Sequence, residues 1–254
     1  MPALGLCLLL WAPAGLWAQS PAGHARPKSE KLREFGLFQP EVGIIDVPTA
    51  GVLDYGSFGI RTRFFSGGGV LNWLSFGVFQ RLSIGASFHV DRFIGDDSPV
   101  DLARPELQLK FRFFDGDRLL PALAAGFDGQ GYFYNRSTRR FSEKGKGLYL
   151  AASQEILTPG LMTHYGLNIS DFDSDDVYGF LGLSYNIQDK ASLLAEFDNL
   201  RRSDQNRLNA GLRIYATPFL SLDLGVREIG KSEFSSGQHR KSERIVQFRY
   251  VGNF

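Results

Sequence analysis

The sequence predicts an all-β protein, a single antiparallel transmembrane β-barrel of about twelve strands. Three observations predict it: polar and apolar residues alternate with a period of two from residue 56 onward, the connections alternate between short and long, and the last strand ends in Phe254. Composition agrees with this reading. The 29 glycines and 22 phenylalanines in 254 residues suit a wall whose lipid face takes large apolar side chains and whose turns and crowded interior take glycine. With 22% charged residues and a mean hydropathy of -0.14, the chain is no bundle of membrane helices. A formal net charge of +1 with no dense run of Lys and Arg excludes the electrostatic footprint of nucleic-acid binding.

At the amino terminus, residues 4–16 form an apolar run that leads into Leu16-Trp17-Ala18 and then polar Gln19 and Ser20. This is the pattern of a signal-peptide core with cleavage after Ala18, so residues 1–18 are expected to be removed. The only cysteine, Cys7, lies inside that segment, and the mature chain is expected to have no disulfide and no thiolate metal site. Residues 19–55 are expected to be a periplasmic leader, charged at Lys28, Glu30, Lys31, Arg33 and Glu34. The barrel then occupies residues 56–254.

The strand pattern is clearest at 106–113, where Glu106, Gln108, Lys110 and Arg112 alternate with Leu107, Leu109, Phe111 and Phe113. The same two faces recur at 207–214 and 220–227. The expected strands are 56–65, 70–79, 82–90, 104–114, 120–128, 147–156, 161–169, 178–187, 191–199, 206–215, 219–227 and 243–253, long enough for tilted spans of a bilayer. Alternation alone also fits a soluble sandwich with its apolar face turned inward. Loop rhythm separates the two: short links at 80–81, 115–119, 157–160, 188–190 and 216–218 sit between longer polar loops at 91–103, 129–146, 170–177, 200–205 and 228–242, the periplasmic-short, extracellular-long signature of outer-membrane barrels. An even strand count puts both termini in the periplasm. In the last strand Val246, Phe248, Tyr250 and Gly252 share a side that Phe254 completes. A terminal strand of this kind resembles the recognition signal of the barrel assembly machinery, with Phe248, Tyr250 and Phe254 as its elements.

Alternation also assigns the lumen. Arg61, Arg63, Lys110, Arg112, Arg207, Arg213, Arg227 and Arg249 are expected to face inward together with Glu106, Glu155, Glu196, Asp198 and Asp223. Two readings follow: an interior closed by ion pairs, with Arg112, Arg213 and Arg227 paired to carboxylates such as Glu106, Glu196 or Asp223, or a small pore with a slight cationic bias. His24, His89, His164 and His239 are the candidate bases for a lipid or glycan hydrolase, since a Ser/His pair at a barrel mouth would support acyl hydrolysis. No lipase motif surrounds them, and polar lumen or rim histidines are the expectation. Asp171, Asp173, Asp175 and Asp176 crowd one loop without the spacing of a calcium loop, so neither a metal nor another cofactor is expected.

The stretch Gly43-Ile-Ile-Asp-Val-Pro-Thr-Ala-Gly-Val-Leu-Asp-Tyr-Gly-Ser-Phe-Gly-Ile-Arg is similar to the opening of YjbH-like outer-membrane proteins, in which a Pro-Thr/Ser-Ala turn precedes a glycine and the first barrel strand. Lys146-Gly-Leu-Tyr-Leu-Ala-Ala-Ser and His164-Tyr-Gly-Leu-Asn also resemble that family's barrel strands. The resemblance implies a role in exopolysaccharide production, with polysaccharide export components as partners, and carries over no catalytic residue. The expectation is therefore a non-enzymatic outer-membrane barrel that meets the lipid bilayer and the assembly machinery and serves envelope or exopolysaccharide export or biogenesis. A passive solute pore and a hydrolase are the alternatives.

Overall fold

A computed structural model of the chain describes residues 40–95, 100–117, 119–135, 137–170, 176–201, 206–230 and 242–254. The expected signal peptide and the charged part of the expected leader lie outside the described residues, as do His24, His239, Asp171, Asp173 and Asp175. In chain order the strands are β1 (Ser57–Phe65), β2 (Gly69–Phe79), β3 (Leu82–Asp91), β4 (Asp101–Leu102), β5 (Glu106–Phe114), β6 (Ala122–Asp128), β7 (Tyr132–Asn135), β8 (Arg140–Glu143), β9 (Gly147–Glu155), β10 (Leu161–Ile169), β11 (Val177–Ile187), β12 (Ala191–Asp198), β13 (Arg207–Tyr215), β14 (Leu220–Arg227) and β15 (Glu243–Asn253). There is no helix among the described residues.

All strands except β4, β7 and β8 form one closed antiparallel barrel of twelve strands. Each barrel strand pairs with its neighbours in sequence, and the ends meet where β1 pairs with β15 on one side, Ile60 opposite Tyr250, and with β2 on the other, Ile60 opposite Leu74. Closure leaves no unpaired edge, which a bilayer would not tolerate.

Burial along the strands decides between barrel and sandwich. On β12 the buried positions are Ser192, Leu194, Glu196 and Asp198, while Leu193 and Phe197 are exposed. On β11 Leu181, Leu183 and Tyr185 are exposed while Phe180 and Ser184 are buried. Arg63, Asp198 and Arg227 are each 0% exposed, whereas Leu107 is 70% and Leu150 55%. A water-soluble core inverts this order. An apolar outer belt around a polar interior is the arrangement that a bilayer stabilises, and the chain is a bacterial outer-membrane barrel.

Apart from the link at 66–68, which joins β1 to β2 at the outer end, the short connections lie at the end of the barrel that carries the start of β1 and the end of β15, the periplasmic end in this architecture. Between β11 and β12, for example, Lys190 N–H donates to the Ile187 carbonyl at 3.0 Å, with Gln188 and Asp189 both at positive φ. That backbone follows the twist of the flanking strands and so makes a tight hairpin.

Two features depart from the expected layout. The connection 129–146 contains the hairpin β7–β8, seated inward so that Tyr132 and Glu143 are buried. Gly131 permits its close return, since a Cβ there would lie 2.4 Å from the Glu143 carbonyl oxygen and 2.5 Å from Phe141. The described part of the expected periplasmic leader is also displaced: residues 40–53 run inside the barrel, with Ile44, Ile45, Val47, Ala50, Val52 and Leu53 buried, while Tyr55 is 71% exposed.

Candidate functional site

Residues 40–55 enter the lumen at the periplasmic end, reverse at Ile45-Asp46, and return to join β1 at the same end. The reversal is closed by Ile44 N–H donating to the Val47 carbonyl at 3.0 Å and by a bridge between Gly43 and Pro48. Local chemistry favours this turn: Pro48 has no N–H to leave unpaired, and Ile44, Ile45 and Val47 bury their side chains at 0%, 3% and 1% exposure. Gly182 on β11 makes room, because a Cβ there would stand 2.4 Å from Ile44 Cδ1.

A backbone taken into a lumen must find partners for its polar groups. Here the wall supplies them through side chains. Glu196 accepts the N–H groups of Ile45 at 2.6 Å, Asp46 at 2.9 Å and Val47 at 2.9 Å, with Asn209 donating to its other oxygen at 2.9 Å. Lys110 donates to the carbonyls of Val42 (2.5 Å), Thr49 (3.0 Å) and Gly51 (3.2 Å). Arg249 donates to Gly43 O at 2.9 Å and to Ile44 O. Ser153 and Ser83 accept the N–H groups of Ala50 and Leu53 at 2.8 and 3.0 Å.

The segment's carboxylates mark two anchor points. Near the outer end, Asp46 receives Arg63 at 2.7 Å, Arg227 at 2.6 Å and the Tyr132 hydroxyl at 3.0 Å. Burial alone would raise its pKa, but Arg227 and Arg63 beside it hold the carboxyl well below the usual range. Near the periplasmic end, Glu41 meets Arg213 at 2.9 Å, Ser184 at 2.8 Å and His164 at 3.3 Å. Burial again opposes ionisation, but the hydrogen bond and charge of His164, the charge of Arg213 and the Ser184 hydroxyl together bring Glu41 down to about 2.

The outer hairpin meets the same cluster. Arg227 lies over the Tyr132 ring at 3.9 Å and bonds Glu243 at 2.5 Å and Glu143 at 3.4 Å. Arg207 reaches Glu143 and also Asp198, at 2.7 Å, which Lys146 reaches as well. The lumen is thus stoppered from the periplasmic side by residues 40–55 and covered from the outer side by β7–β8. A cavity of about 160 Å³ remains beside the segment, lined by Arg61, Trp73, Lys110, Asp128, Tyr149 and Arg249 among others.

The expected lumen charges are placed as follows. Arg213 pairs with Asp223 at 2.8 Å, and Asp223 also holds Arg249 at 2.7 Å. Arg63 and Arg227 turn to Asp46, and Arg61 lies over Trp73 at 3.6 Å. The expected partners of Arg112 and Arg227 are corrected. Arg112, at the periplasmic end of β5, meets Asp115 of the adjoining turn at 3.0 Å, and Glu106, at the outer end, meets Arg104 at 2.7 Å. Glu196 is taken up by the three amides rather than by an arginine. On the outside, Phe248 packs edge-on against Phe64 at 6.2 Å, Tyr250 packs against Phe58 at 5.9 Å, and Phe254 stacks on Phe76 at 6.0 Å.

Of the candidate bases, His89 bonds Asp91 at 2.8 Å and packs between Phe65 and Phe141, with no serine bonded to it among the described residues. His164 does meet a serine: Ser153 Oγ lies 2.8 Å from Nδ1, and Glu41 flanks Nε2. Ser153 Oγ, however, is capped by the Ala50 N–H, and Ser184 competes for Nε2 at 3.2 Å. His164, Ser153 and Ser184 thus hold the two limbs of the segment. Sequence reasoning missed Glu41, Asp46, Tyr132 and Glu143. The signal for the first two was the composition of residues 40–55: three carboxylates and no Lys, Arg or His.

No protein-family model matches the chain, and no curated protein matches it. Among solved structures it is similar to the KdgM porin, with a TM-score of 0.50 and 11% identity over 76% of this chain and 98% of that one. It is also similar to the NanC porin (TM-score 0.43, 11% identity, 78% and 99% covered) and to outer membrane phospholipase A from Escherichia coli (TM-score 0.46, 14% identity, 87% and 98% covered). At 11% identity the likeness to the KdgM porin is one of fold alone.

Proposed function

We propose that the protein is a non-enzymatic outer-membrane conduit for an envelope component, closed at rest by its own residues 40–55. One observation carries this reading: among the described residues, no backbone-to-backbone hydrogen bond joins residues 40–53 to the barrel wall. The segment is held by side chains alone, so it can leave without unpairing a strand. Water can replace hydrogen bonds and ion pairs at modest net cost, on the order of 1 kcal/mol per neutral bond and somewhat more where a charge is involved. A lumen sealed permanently would gain more from apolar packing than from buried ion pairs.

The resemblance of residues 43–61 to the opening of YjbH-like proteins supports exopolysaccharide as the exported material and polysaccharide export components as partners. The stretch that carries the resemblance includes the plug itself. A membership of that family and a role for the barrel assembly machinery in reading the last strand belong to the same proposal.

Planar-bilayer recording tests the conduit. The full chain should be nearly silent, and a chain lacking residues 41–52 should conduct steadily. Steady conductance from the full chain would overturn the plug, and a folded truncated chain that stays silent would overturn the conduit. Neither form should turn over phospholipid or lipopolysaccharide in detergent.

A further inference from the structure

The geometry points to the wall beneath the plug as a binding track for a linear polyanion, with residues 40–55 occupying it as an internal mimic of that ligand. This inference rests on the conduit reading and names the chemical class of what passes.

The mimicry is in the charges and oxygens. The segment carries Glu41, Asp46 and Asp54 and no basic residue. Five wall cations close on its oxygens. Arg213 takes Glu41, and Arg249 the adjacent carbonyls, toward the periplasmic side. Lys110, midway along β5, takes three carbonyls. Arg63 and Arg227, two residues from the outer end of β1 and at the outer end of β14, take Asp46. Together they form a track of positive charge along the lumen, with a carboxylate of the segment bound toward each end.

A sixth cation is already uncovered. Arg61 lines the remaining cavity, and among the described residues it has no carboxylate at ion-pair distance; its guanidinium lies over the Trp73 ring. Arginine, a tryptophan face and Tyr149 around one cavity form a surface that binds acid groups on a sugar-like scaffold, the cations taking the acids and the rings the apolar faces. When the segment leaves, these six cations face Asp128, Glu143, Glu196, Asp223 and Glu243, five carboxylates, and the segment's own carboxylates are gone. The open track then has a surplus of positive charge in a narrow, low-dielectric interior, where such a surplus concentrates anions. In the conduit read above, the matching cargo is an acidic polysaccharide.

The test measures selectivity in the chain lacking residues 41–52. In a potassium chloride gradient its reversal potential should favour chloride several-fold over potassium. An alginate oligomer, which carries a carboxylate on each sugar, should block the current, while neutral maltohexaose of similar length should not. Arg61→Ala should weaken both effects. Cation selectivity, or equal block by the two sugars, would overturn the polyanion track and leave the conduit standing. A heat-modifiable barrel that stays silent would overturn both. If the truncated chain does not fold, the full chain with Glu41→Gln and Asp46→Asn replaces it, and the same outcomes apply.

Discussion

Asp46 and Arg227 meet at 2.6 Å inside the barrel although 181 positions separate them in the sequence. Arg63 and Tyr132 complete the enclosure of the same carboxylate. One acid at the tip of the inner segment is therefore bound by two wall strands, β1 and β14, and by the outer hairpin.

Asp46→Ala should release the segment. It leaves Arg63 and Arg227 buried with fewer partners, a change that costs about 3–5 kcal/mol when a buried pair is broken. Periplasmic-side proteolysis should cut residues 40–55 in the variant and spare them in the wild type. Equal protection would mean that Asp46 contributes little to docking.

A steric change should act without touching any charge. Gly182→Leu places a side chain where Ile44 now sits, since even a Cβ would lie 2.4 Å from its terminal methyl. The barrel should remain heat-modifiable while the bilayer current rises above the wild-type level. A silent, protease-protected Gly182→Leu variant would show that the segment repacks around the obstruction.

The docked segment should respond to acid in one direction. Glu41 sits at about 2 when docked, against 4.5 for the free group, so docking favours its ionised form. That stabilisation is complete above about pH 4.5 and is lost as the pH falls toward 2. Wild-type current should therefore stay low from neutrality to about pH 5 and rise below pH 4, and the rise should be absent in Glu41→Gln. A current that rises instead on going to alkaline pH would contradict the role given to Glu41.

Phe254 should matter before the barrel is finished. Its ring lies on the outer surface, 84% exposed, against Phe76 and Phe58, and contributes little packing to the completed wall. Deleting it should lower outer-membrane yield, with unassembled chain degraded in the periplasm, while the fraction that inserts should melt like wild type. Normal yield would remove Phe254 from assembly.

The wall was legible because its physics is periodic. A strand with one face in lipid and one in a polar lumen must alternate, so Glu106 to Arg112 against Leu107 to Phe113 placed β5 directly. Inner and outer caps obey no such rule. In residues 43–47, Gly-Ile-Ile-Asp-Val, the consecutive Ile44 and Ile45 and then Val47 are buried by a wall assembled from distant strands, so their pattern has no period to read. The β7–β8 hairpin has four residues on each side, too few to stand out from a polar loop. The neighbours of Arg63 and Arg227 assign both inward, but no strand periodicity reaches their partner Asp46, which precedes the first barrel strand.

The occupancy of the lumen by residues 40–55 is tested most directly by a disulfide across the plug and the wall. Ala50 N–H lies 2.8 Å from Ser153 Oγ, which brings the two residues into direct contact only if the segment is inside. With Ala50→Cys and Ser153→Cys, oxidation in intact outer membranes should give a cross-linked chain with altered mobility on a denaturing non-reducing gel, and reduction should reverse it. A periplasmic segment that does not enter the barrel would leave the two cysteines unlinked.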